Sequence, residues 1–304
     1  MKDNAKAMVL ASFAADSLAL GAHWIYDTEE IESRFGRVDR FLSPLKESYH
    51  PTKQKGELTH YGDQTFVLLE SIETVSGFDL DDFARRWRDF FKSYNGYIDR
   101  ASKATLMNFS GGGNPEESGS RSSDLAGASR IAPLVYRYRD DIEGLALAVR
   151  LQTAMTHNNP LVIDASEYFA RVACRVLHGS SPVAALGQIR KESFSSGPLA
   201  EAVSEGISSI GSDTRNAIAR FGQSCEVGGA LPSTIHLIAK YEENPKEALI
   251  ENVMAGGDSA ARGMLASMVL GAHQGLEALP AEWLSSLKLR RNIEELLESI
   301  DQQR

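Results

Sequence analysis

Residues 256–263 read Gly256-Gly257-Asp258-Ser259-Ala260-Ala261-Arg262-Gly263, and the chain continues MLASMVLGAHQG to residue 275. The run has no proline and no alternation. Ala260, Gly263, Ser267 and Gly271 recur at steps of three and four residues, so they share one helix face, and all four are small. Such a seam lets another backbone lie close. The acid before it suits the free N–H groups of a helix start, and the paired glycines let the chain approach a ligand or a second helix terminus. The same period recurs at Ala7, Leu10, Ala11, Ala14, Leu18 and Gly21, at Thr65, Leu68, Leu69, Ile72 and Val75, and at Leu161, Ala165, Phe169, Val172 and Val176 behind Pro160. Further helices are expected near 80–94, 143–156, 182–192, 199–210, 213–221, 231–241, 245–254 and 289–301. Only residues 34–42 could pass for a strand. The class is all-α. No composition break marks a linker and no repeat is found, so residues 1–304 are expected to form one domain.

Composition narrows the partners. The chain has 304 residues, 42% of them hydrophobic, with a net charge of −9. That balance argues against a nucleic-acid backbone or an anionic membrane as partner, though a small anionic ligand needs only a local positive pocket. No uncharged apolar stretch is long enough to span a bilayer. The apolar N-terminus is interrupted by Asp16 and has helical spacing, unlike a signal peptide. Two cysteines are too few for a disulfide framework. Cys174 is expected in the core and Cys225 in a loop, both reduced in a cytoplasmic protein.

Three patches place small residues and an acid at what reads as a helix start: Ala15-Asp16-Ser17, Tyr61-Gly62-Asp63-Gln64-Thr65, and Gly257-Asp258-Ser259. Carboxylates brought together from distant parts of the chain can hold Mg²⁺. Two long loops, 43–62 and 108–124, are candidates for function. The second ends in Ser122-Ser123-Asp124, whose N–H groups could cradle a diphosphate. His157 precedes a helix and is a candidate to line a ligand cleft. Trp24 and Tyr26 could stack on a base or serve as core. His23, His60 and His236 show no zinc spacing with a cysteine, so no zinc is expected; separately, no organic cofactor is expected.

In order along the chain, AADSLALGA (14–22), YGDQT (61–65), RIAPL (130–134), THNNP (156–160) and the block 230–275 resemble the ADP-ribosylglycohydrolase family. GAHWIYD, HYGDQT and GGDSAARGM are most like its J1-crystallin-like branch. The resemblance implies an orthogonal α-helical bundle. It also implies hydrolysis of an N- or O-glycosidic bond in an ADP-ribosyl or related ribosyl compound, with two Mg²⁺ (in some members Mn²⁺) held by Thr-Asp-Asp and Asp-x-Asp-Thr motifs. Carried over by position, Asp63 and Asp258 stand as catalytic and metal residues. Asp16, Gln64, Ser122, Ser123, Asp124, His157, Gly256, Gly257, Ser259 and Arg262 stand as substrate-binding residues.

This chain departs from those motifs at decisive places. Gly62 replaces the first threonine, Gln64 the second acid of the first motif, and Ala260, Ala261 and Arg262 the rest of the second. Two carboxylates cannot neutralise two divalent ions, so at most one Mg²⁺ is expected, or none. Gln64 could offer a carbonyl oxygen and Ser259 a hydroxyl. Arg262 could pair with Asp63 or Asp258, face a substrate oxygen, or sit outward in solvent. The expected activity is an altered hydrolase. The alternative is a catalytically inactive relative that binds ADP-ribose or a nucleotide, or has a structural role.

Overall fold

Short polar side chains open most of the helices. Asp27, Thr59, Asp99, Asn159, Asn244 and Asp258 each accept a hydrogen bond from a backbone N–H of the turn they precede, which satisfies donors a helix start leaves free. The structure is a computed structural model and describes residues 2–304. In chain order its helices are α1 Lys2–Ala19, α2 Thr28–Phe35, α3 His60–Val75, α4 Leu80–Ser93, α5 Arg100–Ser110, α6 Ala126–Ser129, α7 Ala132–Tyr138, α8 Ile142–Ala154 and α9 Pro160–Leu177. There follow α10 Pro182–Ser193, α11 Pro198–Ser208, α12 Thr214–Phe221, α13 Val227–Lys240, α14 Pro245–Met254, α15 Ser259–Gln274, α16 Ala281–Ser286 and α17 Arg290–Gln302.

No strand occurs among the described residues, only isolated bridges of Ser120 with His157 and Asp124 with Glu226. Residues 34–42 finish α2 and then run irregularly. Gly36 turns the chain at φ +65, and Val38 and Phe41 are buried three positions apart, a spacing no strand face has. The unanticipated α2 and α5 are short and rich in polar residues, so their apolar period is faint. Because α5 runs to Ser110, the second long loop is shorter than expected, while the irregular chain before α3 begins earlier and spans residues 36–59.

The axis of the bundle is α1 against α15. A Cβ added at Gly271 would stand 2.8 Å from Ala11 Cβ and 3.1 Å from the Ala7 carbonyl oxygen. The small-residue seam therefore meets the small face of α1 at near backbone contact. Residues 259–272 of α15 are buried on every side, as a helix wrapped by others must be. One continuous apolar cluster runs from this pair through α3, α7, α9, α13 and α14. Among the described residues no helix is long and apolar enough to cross a membrane.

Candidate functional site

The chain leaving α1 is fastened to the turn before α15. Trp24 N–H donates to the Gly257 carbonyl at 3.0 Å, and Gly257 N–H donates to the Ile25 carbonyl at 2.7 Å. Gly256 and Gly257 lie at φ +72 and +68. A Cβ at Gly257 would fall 2.1 Å from the Gln223 carbonyl oxygen, and one at Gly256 2.7 Å from that of Ile25. The glycines thus serve close approach between chain segments rather than to a ligand. Arg262 holds the same turn. Its buried guanidinium donates to Asn252 Oδ1, the Gln223 carbonyl and the Gly256 carbonyl at 3.1, 3.0 and 2.6 Å. Each of its three nitrogens is thereby engaged within the protein, and the side chain does not face solvent. Burial lowers its pKa to about 10, so it stays charged at neutral pH. Ser259 is buried too, its hydroxyl without a partner.

Trp24 adopts φ +66, a left-handed conformation unusual for a bulky residue. It turns the indole into an aromatic group, 4.4 Å from the His23 ring and 4.9 and 5.2 Å from those of Tyr49 and Tyr97. Asp258, fully buried, lies behind. It caps α15 through the Ala261 N–H at 3.2 Å and accepts from His23 Nε2 at 3.0 Å. His23 Nδ1 is in turn 3.0 Å from His50 Nε2. Burial drives the pKa of His50 down to about 2 and that of His60 well below its ordinary value, so both rings are neutral.

Asp63 belongs to a different neighbourhood. It is not the cap of α3, which is Thr59, but sits one turn in, where Lys53 Nζ and Tyr94 Oη reach its Oδ2 at 2.5 and 2.6 Å. Burial nonetheless pushes its pKa up. Asp16 is not before a helix. It lies in the last turns of α1 and is buried, accepting from Thr59 N–H at 2.7 Å and Thr59 Oγ1 at 2.5 Å, so it braces the start of α3. Desolvation raises its pKa to about 7. Gln64 is spent within the core. Its Oε1 accepts from Trp87 Nε1 and Arg130, each at 2.7 Å, and its Nε2 donates to the His60 carbonyl.

A cavity of about 230 Å³ opens beside the Asp258 neighbourhood, lined by Trp24, Tyr26, Tyr49, Tyr97, Asp99, Arg100, Asp124 and Cys225. The loop ending in Ser122-Ser123-Asp124 supplies one wall and is stitched to the start of α13. Ser123 O accepts from Val227 N–H, and Leu125 N–H donates to Cys225 O, both at 2.8 Å. Asp124 N–H is spent on Ser122 Oγ at 3.2 Å and Ser122 N–H on Ser120 Oγ at 3.3 Å, so two of these three amides are not free for a diphosphate. Asp124 Oδ1 takes the Cys225 thiol at 3.0 Å. Burial, with the Asp258 charge nearby, raises the pKa of Asp124, and burial raises that of the Cys225 thiol. The thiol is therefore a poor nucleophile. His157 is not on the cavity lining; it is buried and bonded to Thr156 Oγ1 at 2.9 Å. A Cβ at Gly127 would come within 2.7 Å of its ring.

These residues do not fit a two-magnesium cluster. Magnesium needs free oxygen donors. Lys53 covers Asp63, His23 and the helix cap engage Asp258, and the Gln64 carbonyl is doubly used. Lys53, His50, Tyr94, Tyr97 and Asp99 carry much of the site, yet none was singled out in the sequence. The signal available was the density of histidine, lysine and tyrosine in the loops before α3 and α5.

The sequence model of the ADP-ribosylglycohydrolase family matches residues 1–304. An uncharacterized protein of Archaeoglobus fulgidus is 26% identical over 298 residues, covering 97% of this chain and 95% of its own length. Crystallin J1A of Tripedalia cystophora is 22% identical over 303 residues, covering 93% and 92%. A solved structure described as an ADP-ribosylglycohydrolase-related protein complex superposes with a TM-score of 0.78 at 22% identity, over 99% of this chain and 98% of that one. With the helical bundle, the Asp63 and Asp258 helix starts and the whole-length match in agreement, the chain belongs to the ADP-ribosylglycohydrolase family.

Proposed function

We propose that the protein is a cytoplasmic hydrolase that cleaves the N- or O-glycosidic bond of an ADP-ribosyl or related ribosyl compound in the aromatic cavity, without a two-magnesium cluster. The observation that carries this reading is the cavity itself, which sets Trp24, Tyr26, Tyr49 and Tyr97 beside the carboxyl groups of Asp99 and Asp124. Aromatic faces accept a base or another planar leaving group. A volume of about 230 Å³ takes a ring and its sugar rather than a whole dinucleotide. The diphosphate then lies outside, beside Arg100.

Cleavage at the ribose C1 passes through an oxocarbenium-like state and needs an acid for the leaving group and a base for water. Asp124, whose pKa is raised, is the acid. Asp99, on the same lining, takes the proton from the attacking water with a lone pair left over from its two hydrogen bonds to Ser102. As the glycosidic bond breaks, the Asp124 proton passes to the leaving atom and the water oxygen bonds to C1. Asp258 acts from behind, its charge favouring the protonated form of Asp124.

A second reading, ligand binding without turnover, is favoured by the complete burial of Asp258 as a helix cap and by the Lys53–Asp63 pair. Titration calorimetry with ADP-ribose, with and without Mg²⁺, alongside product analysis on ADP-ribosylated substrates, separates the readings. Hydrolysis is supported by metal-independent binding together with turnover that is lost in Asp124→Asn. Binding with no turnover on any ribosyl substrate leaves the second reading. Binding that needs Mg²⁺ and disappears in Asp258→Ala overturns the account of the metal site.

A further inference from the structure

Three histidines from three separate segments converge behind the aromatic wall. His23 follows α1, His50 lies in the loop before α3, and His60 opens α3. All are buried, and one ring nitrogen of each lies within 4.8 Å of the other two, a limit that includes the roughly 3.4 Å spacing of nitrogens on one tetrahedral zinc. Buried imidazoles ordinarily have partners for both nitrogens. Here His50 Nδ1 and both nitrogens of His60 have no hydrogen-bond partner. Of the three, only His60 Nε2 has a polar group near it, the Asp99 carboxylate at 3.6 Å.

The surroundings supply what imidazole ligands need. His23 Nε2 donates to Asp258 Oδ1 at 3.0 Å, which fixes the ring and turns Nδ1 toward His50. His60 Nε2 lies 3.6 Å from Asp99 Oδ2. A carboxylate behind the outer nitrogen orients a metal-bound histidine and raises its basicity. His23 has one, and His60 has another when it binds through Nδ1; the two carboxylates supply negative charge near a divalent ion.

We propose that His23, His50 and His60 form a binding site for a divalent first-row transition metal of the Zn²⁺ or Co²⁺ kind, with Asp258 and Asp99 as its outer carboxylates. Three imidazole nitrogens with a further position open is the donor set of a reactive rather than a structural zinc. When the metal binds, it takes the lone pair of His23 Nδ1. His50 Nε2 gives up its hydrogen, which His50 Nδ1 can carry, so the ring stays neutral and changes tautomer. Asp99 and Trp24 belong both to this cluster's surroundings and to the aromatic cavity, so the metal would lie next to that cavity. The site requires neither magnesium nor the ribosyl reading.

The test uses the full chain after EDTA treatment, titrated with Co²⁺ while the visible absorption of imidazole-bound cobalt is followed, then with Zn²⁺ as competitor. The expected result is one equivalent per chain, displaced by Zn²⁺. Affinity should fall at least 100-fold in His50→Gln and His60→Gln and about 10- to 100-fold in Asp99→Asn, with circular dichroism unchanged. Absence of saturable one-equivalent uptake by the unmodified chain overturns the proposal whatever the variants do. The half-buried group Glu242, Glu243 and His273 is the competing site. Binding that survives His60→Gln and disappears in His273→Ala overturns the proposal equally.

Discussion

Asp63 and Asp258 both stand at helix starts, yet their surroundings answer their charge in opposite ways. On the Asp63 side a lysine ammonium and a tyrosine hydroxyl close on one carboxylate oxygen. Lysine is a fixed cation that brings its own charge and leaves no room for another. On the Asp258 side the partner is a histidine, which passes the contact on to a second one and stands against an aromatic wall. The first arrangement ends in an ion pair. The second ends in unsatisfied nitrogens and a cavity. One side has become structure, and the other has kept the features of a site.

The largest expected effect lies on the open side. Asp124→Asn should lower turnover of a ribosyl substrate by about 10²- to 10⁴-fold while ADP-ribose affinity stays within a few-fold, read from initial rates and calorimetry. An unchanged rate would remove Asp124 from the chemistry and take the open side's claim with it.

On the closed side, Lys53→Met leaves a mostly buried carboxylate without its cation. The expected loss is about 3 kcal/mol of stability, measured by urea unfolding, with ligand affinity unchanged. The double variant Lys53→Met, Asp63→Asn should regain much of it. If ligand affinity collapses instead, the two neighbourhoods are one site and the comparison fails.

Trp24→Ala should weaken ligand binding by about 1–3 kcal/mol, the range for loss of a stacking face, with little change in kcat. A kcat effect without an affinity effect would move the indole from the cavity wall to the catalytic arrangement.

The last effect is read against pH and concerns Asp16. Its folded pKa of about 7 exceeds the unfolded value, so the folded chain binds the proton more tightly. The resulting stabilisation is complete below pH 4, drains away as pH rises to about 7, and is absent above it. Asp16→Asn should flatten that stretch of the stability–pH curve, followed by thermal unfolding at pH 5 and pH 7.5. A slope that persists in the variant would assign it to another group.

Much of the fold was legible because α1, α3, α9 and α15 carry their apolar period over three turns or more, and a buried helix writes that period strongly. The polar α2 and α5 were missed for the converse reason. At the site, Asp258 could be found because it precedes a recognisable helix start, Asp124 because it ends a glycine- and serine-rich loop, and Trp24 because it follows the apolar run of α1. Lys53, His50 and Tyr97 could not. Their roles depend on where the irregular chain before α3 and α5 comes to rest, which no period encodes. Arg262 shows the other limit. Its position in a charged motif suggested a ligand, while three backbone and amide oxygens within reach made it a clasp for a turn.

The pairing of α1 with α15 has a consequence for how the molecule is made. Ala11 and Gly271 touch across about 260 positions of chain, so the central contact is among the least local the sequence permits. Loops of that length close slowly, and larger chains pass through partly packed intermediates. A chain emerging from the ribosome holds α1 ready long before its partner exists. Neither the Gly256-Gly257 turn nor the Trp24 conformation it fastens can form until then. The aromatic cavity is therefore a late product of folding, and a chain cut short before α15 would keep many of its helices while lacking the site altogether.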